Sequence, residues 1–144
     1  MNFSEGRARC DQDSIDASVS GFLHMPMPRS ETEHQIYFDL VKDRPYSTYL
    51  DITEVFPKTN PRTWELKDGS LATWFSWRAG EPNDQNTEPH VEMLRDYGPD
   101  RNDPSLRVGD WNDMGGDHQR NIVCSYFLPA GAENNCPWLS DFQD

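Results

Sequence analysis

From Leu71 to Gly116, roughly a third of the chain, the sequence is rich in Gly, Pro, Asn, Asp and Trp and holds no sustained apolar periodicity. A segment of that length with little regular structure is uncommon in a compact domain. It is functional, or it is held by something other than apolar burial. The chain has 144 residues, which suits one domain with one modest core. Any fold therefore has to be organised around this loop region. Two short strands interrupt it, "VEML" (91–94) and the approach to Trp111.

The flanks read as regular structure. In "PRSETEHQIYFDLVKD", Ser30 and Glu33 form a capping box, and Ile36, Tyr37, Leu40 and Val41 recur at helical spacing. A weaker helix runs from about Phe3 past Cys10. "STYLDIT" (47–53) is a strand of β-branched and aromatic residues, and "TWELKDGS" is a strand entering a turn at Asp68-Gly69. "NIVCSYF" (121–127) alternates like a central strand. Helices first and strands afterwards predict an α+β fold.

Charge narrows the partners. The formal net charge is -12, from 25 acidic and 13 basic residues. Such a surface repels nucleic acid and anionic membranes and suits a cation or a neutral ligand. Five Trp, five Tyr and seven Phe argue against disorder. All apolar runs are short, so no membrane insertion is expected, and the segment after Met1 shows no signal peptide. Cys10, Cys124 and Cys136 permit one disulfide and leave one thiol over. Together with an Asn2-Phe3-Ser4 glycosylation triplet, they lean towards an oxidising compartment.

Oxygen donors concentrate in the loop region: Glu81, Asn83, Asp84 and Glu88, then Asn112 and Asp113. A hard cation such as Ca²⁺ takes six to eight oxygens from carboxylates, amide and backbone carbonyls and water. Two clusters about thirty residues apart meet if the loop folds back. The competing reading is a solvated acidic loop.

The order of residues goes further. "GEPND", a Glu five residues after the Asn, "WND", and a Cys in an alternating strand together resemble the C-type lectin-like domain. So do "SGFLHMPMPRSETEHQIYFDLV", "TYLDITEV" and "WELKDGSLATWFSWRAGEPND", so that the resemblance covers roughly residues 3 to 128. It implies a C-type lectin fold, with two helices flanking small antiparallel sheets and a long calcium-binding loop region. It places the domain at 1–128 and a C-terminal extension at 129–144.

The resemblance also implies a Ca²⁺ site made by Glu81, Asn83, Glu88, Asn112 and Asp113, with a cis peptide bond before Pro82. A sugar would bind the ion through two vicinal hydroxyls, hydrogen-bonded to Glu81, Asn83, Glu88 and Asn112. The order Glu-Pro-Asn goes with mannose-, fucose- or glucose-type diols. A second metal would involve Asp84 and Glu54, but the next expected acid falls near Lys58, which cannot serve. Trp77 or Trp111 would stack on a sugar, with a core role favoured for Trp111.

The implied outer disulfide is Cys10–Cys124. The family's inner disulfide is missing, since His90 stands at its first position and "MGGDHQR" follows "WND". Fewer covalent restraints on the loop imply that Ca²⁺ carries more of its order. Residues 95–110 make a longer link than the family's, and Cys136, Trp138, Leu139 and Phe142 lie in the extension.

These readings make the chain a secreted or extracellular calcium-dependent lectin with a glycan partner. An oligomer or a larger parent protein, joined through Cys136, is compatible with them. The alternative is a lectin-like module of a larger extracellular protein that binds a protein partner or is structural. No enzymatic activity is expected, because His24, His34, His90 and His118 match no metal-site spacing.

Overall fold

The computed structural model describes residues 1–16, 23–84, 87–94 and 109–126. The extension with Cys136, and residues 95–108 of the long link, lie outside the described residues.

Helix α1 (Phe3–Asp16) starts at a reciprocal cap. The Glu5 N–H donates to Asn2 Oδ1 at 2.9 Å, and the Asn2 N–H donates to Glu5 Oε1 at 3.0 Å. Each bond satisfies an amide that the first turn leaves without a partner. The helix buries Phe3, Gly6, Cys10 and Ser14, one face at helical spacing.

Helix α2 (Glu31–Val41) is capped by Ser30, whose Oγ accepts the Glu33 N–H at 3.2 Å. The expected box is altered: the Glu33 carboxylate takes the Arg29 N–H at 2.8 Å. The buried face is also not the purely apolar one. Glu33, His34, Tyr37 and Val41 face inwards, while Leu40 is exposed. The inward polar groups have partners. Trp111 Nε1 donates to His34 Nδ1 at 3.1 Å, and the Tyr37 hydroxyl lies 3.1 Å from Ser125 Oγ.

The main sheet has the order β3-β2-β4-β5 and is antiparallel throughout, built from β2 (Thr48–Glu54), β3 (Trp64–Leu66), β4 (His90–Met93) and β5 (Trp111–Met114). Its register sets Glu54 opposite Trp64, Leu50 opposite Val91 and Val91 opposite Asp113. A second sheet pairs β1 (Leu23–His24) with β6 (Ser125–Tyr126). The central strand is β2, buried along its length apart from partly exposed Thr53. The expectation of a central strand at 121–127 is therefore corrected. Of its described residues, only Ser125 and Tyr126 are in a strand, and Asn121 makes an isolated bridge to Thr48. Alternation reports one buried face, whereas a strand covered on both faces reads as a nearly continuous run.

The larger core cluster centres on Leu50, Ile52, Trp64, Val91 and Trp111, and a smaller one holds Phe3, Cys10, Met25, Tyr49 and Met114. The Cys10–Cys124 disulfide closes the smaller cluster across a sequence separation of 114. A bridge over so long a loop stabilises by about 5 kcal/mol through loop-closure entropy.

Where the inner disulfide is missing, packing ties the same segments. The His90 ring stacks on Phe3 at 4.0 Å, and the Phe3 N–H donates to Gly116 O at 3.0 Å. A Cβ at Gly116 would lie 2.7 Å from His90 Cδ2, so the glycine permits this approach. The Tyr49 hydroxyl donates to His118 O at 2.9 Å and reaches Gly115 O at 3.3 Å. Burial lowers the His90 pKa to about 4, and the Arg7 charge adds to the effect, so the ring is neutral in this stack at ordinary pH.

Candidate functional site

The site lies where the loop carrying Glu81 to Glu88 meets the end of β5. The Glu81-Pro82 peptide bond is cis. The two flanking side chains sit together, with Asn83 Nδ2 donating to Glu81 Oε2 at 3.2 Å. Asp113, fully buried on β5, ties the loop backbone. Its Oδ1 accepts the Asn83 N–H at 3.0 Å, and its Oδ2 accepts the Asp84 N–H at 2.7 Å. Asp84 Oδ1 in turn accepts the Glu88 N–H at 3.0 Å. Four of the five expected ligands, Glu81, Asn83, Glu88 and Asp113, are thus linked by short contacts or lie within electrostatic reach of one another. Asn112 adjoins Asp113 on β5 and stands opposite Glu92 of β4.

The fit of this set to a cation rests on Glu81. Its Oε1 is buried without a hydrogen-bond partner among the described residues. Burial, then the charges of Asp113 and Glu88, push the Glu81 carboxyl up to about 7. A buried carboxylate oxygen facing other carboxylates is stabilised by a positive charge. Asp113 Oδ1 carries one hydrogen bond and keeps a second lone pair. Even so, among the described residues no three His, Cys, Asp or Glu side chains gather as a metal-binding group. A cation here would draw on the amides Asn83 and Asn112 as well as the acids.

The second expected pair is also brought together, but around a side chain. Arg62 reaches Glu54 with two bonds, Nε to Oε2 at 3.0 Å and Nη2 to Oε1 at 2.9 Å. It donates to Asp113 Oδ2 at 2.6 Å and to the Glu88 carbonyl at 2.9 Å, and pairs with Asp84 Oδ1 at 3.3 Å. Its guanidinium lies over the Trp64 ring, 4.7 Å from the centroid. Burial alone would lower the Arg62 pKa; the bonds to Glu54 and Asp113 more than reverse that. Lys58 pairs with the other Asp84 oxygen. The pair expected for a second metal, Asp84 and Glu54, thus meets the Arg62 guanidinium between its two carboxylates. Sequence reasoning missed Arg62. The one signal was Lys58, a basic residue where an acid was expected.

The two tryptophans differ. Trp111 is fully buried and packs edge-on against Trp74 and Trp77. Trp77 is partly exposed and stacks on Phe75 with its ring 13° off parallel.

Two helices, a four-stranded antiparallel sheet, a small sheet closing the termini, and a long loop region tied back to β5 define the architecture. The chain folds as a C-type lectin-like domain. The mouse scavenger receptor C-type lectin carbohydrate-recognition domain superposes with a TM-score of 0.63 at 21% identity, covering 85% of this chain and 78% of that one. The C-type lectin CEL-I from Cucumaria echinata gives 0.65 at 14% identity, covering 88% and 85%. Human lithostathine gives 0.62 at 17% identity, covering 85% and 74%. Pulmonary surfactant-associated protein D of Sus scrofa is 24% identical over 115 residues, which make up 80% of this chain and 28% of that protein. The chain thus spans little more than a quarter of that relative's length. No family model matches it. No helix among the described residues is long and apolar enough to cross a membrane.

Proposed function

We propose that the chain is a calcium-dependent carbohydrate-binding domain that acts outside the cell and binds without catalysis. The observation that carries this reading is the buried Glu81 Oε1, without a hydrogen-bond partner among the described residues and set among Asn83, Glu88 and Asp113 at the head of the loop. Glu81, Asn83, Glu88, Asn112 and Asp113 would hold the cation, which would present coordination positions to a vicinal diol. Carboxylates and amides alternate in this set, so one hydroxyl can donate to an acid while accepting from an amide. The order Glu-Pro-Asn supports a mannose-type diol, and likeness to carbohydrate-recognition domains supports the ligand class.

A glycan array read with and without chelator tests the proposal. Mannose-, fucose- or glucose-terminated glycans should bind in calcium and be released by chelator. A set of signals that chelator leaves unchanged refutes the calcium-dependent reading. The same outcome would favour a second reading, a lectin-like module that binds protein. Its support is that Arg62 already neutralises Asp113 and Glu54.

A further inference from the structure

We propose that Arg62, with Lys58 beside it, is a resident cation standing where a second metal ion would otherwise hold the loop. In consequence, the loop keeps its ligand-holding shape when metal is removed, and the domain takes up one divalent cation. Only the last clause rests on the function proposed above.

The geometry carries the argument. The Arg62 guanidinium meets the side chains of Glu54, Asp84 and Asp113 and the backbone carbonyl of Glu88. Carboxylates and a main-chain carbonyl are oxygens of the type a hard cation takes, here spread around the wider guanidinium and not gathered closely enough for one small ion. The five nitrogen–oxygen contacts lie between 2.6 and 3.3 Å. The partners come from three separate places: the end of β2, the loop at 84–88, and β5. One group therefore clamps segments that a mobile ion would otherwise have to join.

The charge also matches. Arg62 and Lys58 each bring one positive charge, and both pair with Asp84. Together they supply the charge of one divalent ion. Unlike an ion, the guanidinium is covalently attached, so its occupancy is independent of concentration. Its side chain is 15% exposed and lies on Trp64, which holds the planar fork in place. Lysine at 58 suits this arrangement, because an acid there would add a further negative charge to three carboxylates that already share one guanidinium.

The cluster is then divided between two cations. Arg62 takes Glu54, Asp84 and Oδ2 of Asp113. Glu81 has no contact with it, and Oδ1 of Asp113 faces the Asn83 amide. That leaves one set of oxygens for one metal.

Amide exchange at Asn83 and Asp84, whose N–H groups both bind Asp113, reads the loop directly. In the full chain with excess chelator, protection should stay within about twofold of its value in calcium. Arg62→Ala should exchange at least about tenfold faster in chelator and recover in calcium, since Glu54 and Asp113 would then lack their counter-charge and Asp84 would keep only Lys58. Arg62→Lys, which keeps the charge but not the fork, should fall between. Should Arg62→Ala not fold, Lys58→Met should still speed exchange by about threefold, because that residue is 40% exposed and pairs with Asp84 alone. Calcium calorimetry should give one ion per chain.

Three results would overturn the proposal. They are two ions per chain, a tenfold loss of protection in the unaltered chain on chelation, or Arg62→Ala amides as slow as the parent's in chelator. If the parent binds no calcium yet keeps both amides protected, the resident cation stands and the calcium-dependent function falls.

Discussion

Replacing Asp113 with alanine should unfold this domain more readily even when no metal is present. Asp113 is fully buried and accepts three hydrogen bonds, from the Asn83 and Asp84 amides and from Arg62. Each bond to a charged group contributes about 1.5–3 kcal/mol, but the three share one carboxylate and do not add. The better guide is the cost of breaking a buried ion pair from one side, about 3–5 kcal/mol, since Arg62 would remain with fewer partners. For a chain of 144 residues, each kcal/mol moves Tm by about 3 °C, so a fall of about 10–15 °C is expected. Differential scanning calorimetry in chelator measures it, so that loss of a metal ligand plays no part. Asp113→Asn keeps an oxygen acceptor for one amide and loses the charge opposite Arg62, and should lie between the parent and the alanine variant. A fall of less than about 3 °C for Asp113→Ala in chelator would refute the claim that this carboxylate ties the loop.

Four further outcomes are expected. The metal-free Glu81 carboxyl sits at about 7 because of burial and its acidic neighbours. Calcium needs the carboxylate, so affinity should fall as pH drops through 7, to about tenfold weaker at pH 6 than at pH 8; a flat profile in calorimetry would exclude Glu81 as a ligand. The same raised value has the opposite effect on the metal-free fold, where the folded state binds more protons than the unfolded one. Glu81 therefore favours folding as pH falls from about 7 to about 4.5. Gly116→Ala should cost about 1–3 kcal/mol by pushing a Cβ into His90, and His90→Ala in the same chain should recover part of that loss in denaturant melts. Replacing Cys10 and Cys124 together with serine should lower stability by about 5 kcal/mol, since the bridge closes a separation of 114, and equal melting of reduced and oxidised protein would contradict this.

Much of the architecture was legible because its causes are local. Ser30 before Glu31 announces a helix start through one hydroxyl and one amide. The β-branched and aromatic residues of 48–54 announce a strand through their own shape. Glu81-Pro82-Asn83 and Trp111-Asn112-Asp113 marked the loop ends that the fold brings together, and Cys10 and Cys124 marked its outer tie. Other features were legible only in part. Leu40 lies on the helical apolar stripe yet is exposed, because α2 turns Glu33 and His34 inwards, where Arg29 and Trp111 provide partners. His90 read as the loss of a cysteine; its packing between Phe3 and Gly116 depends on three segments that no local pattern connects.

The sequence by itself determined the fold class, the Ser30 cap of α2, the strand at 48–54 and the identity of the oxygen donors around the loop. Tertiary structure alone decided which of those donors Arg62 takes. Arg62 stands in a polar stretch between Pro61 and Trp64, where nothing nearby in the chain distinguishes it from a solvated surface arginine. Its partners are Glu54, eight residues before it, Asp84 and Glu88, more than twenty after, and Asp113, 51 residues away. Electrostatic attraction acts through space, so a guanidinium's role is set by the charges the fold gathers around it.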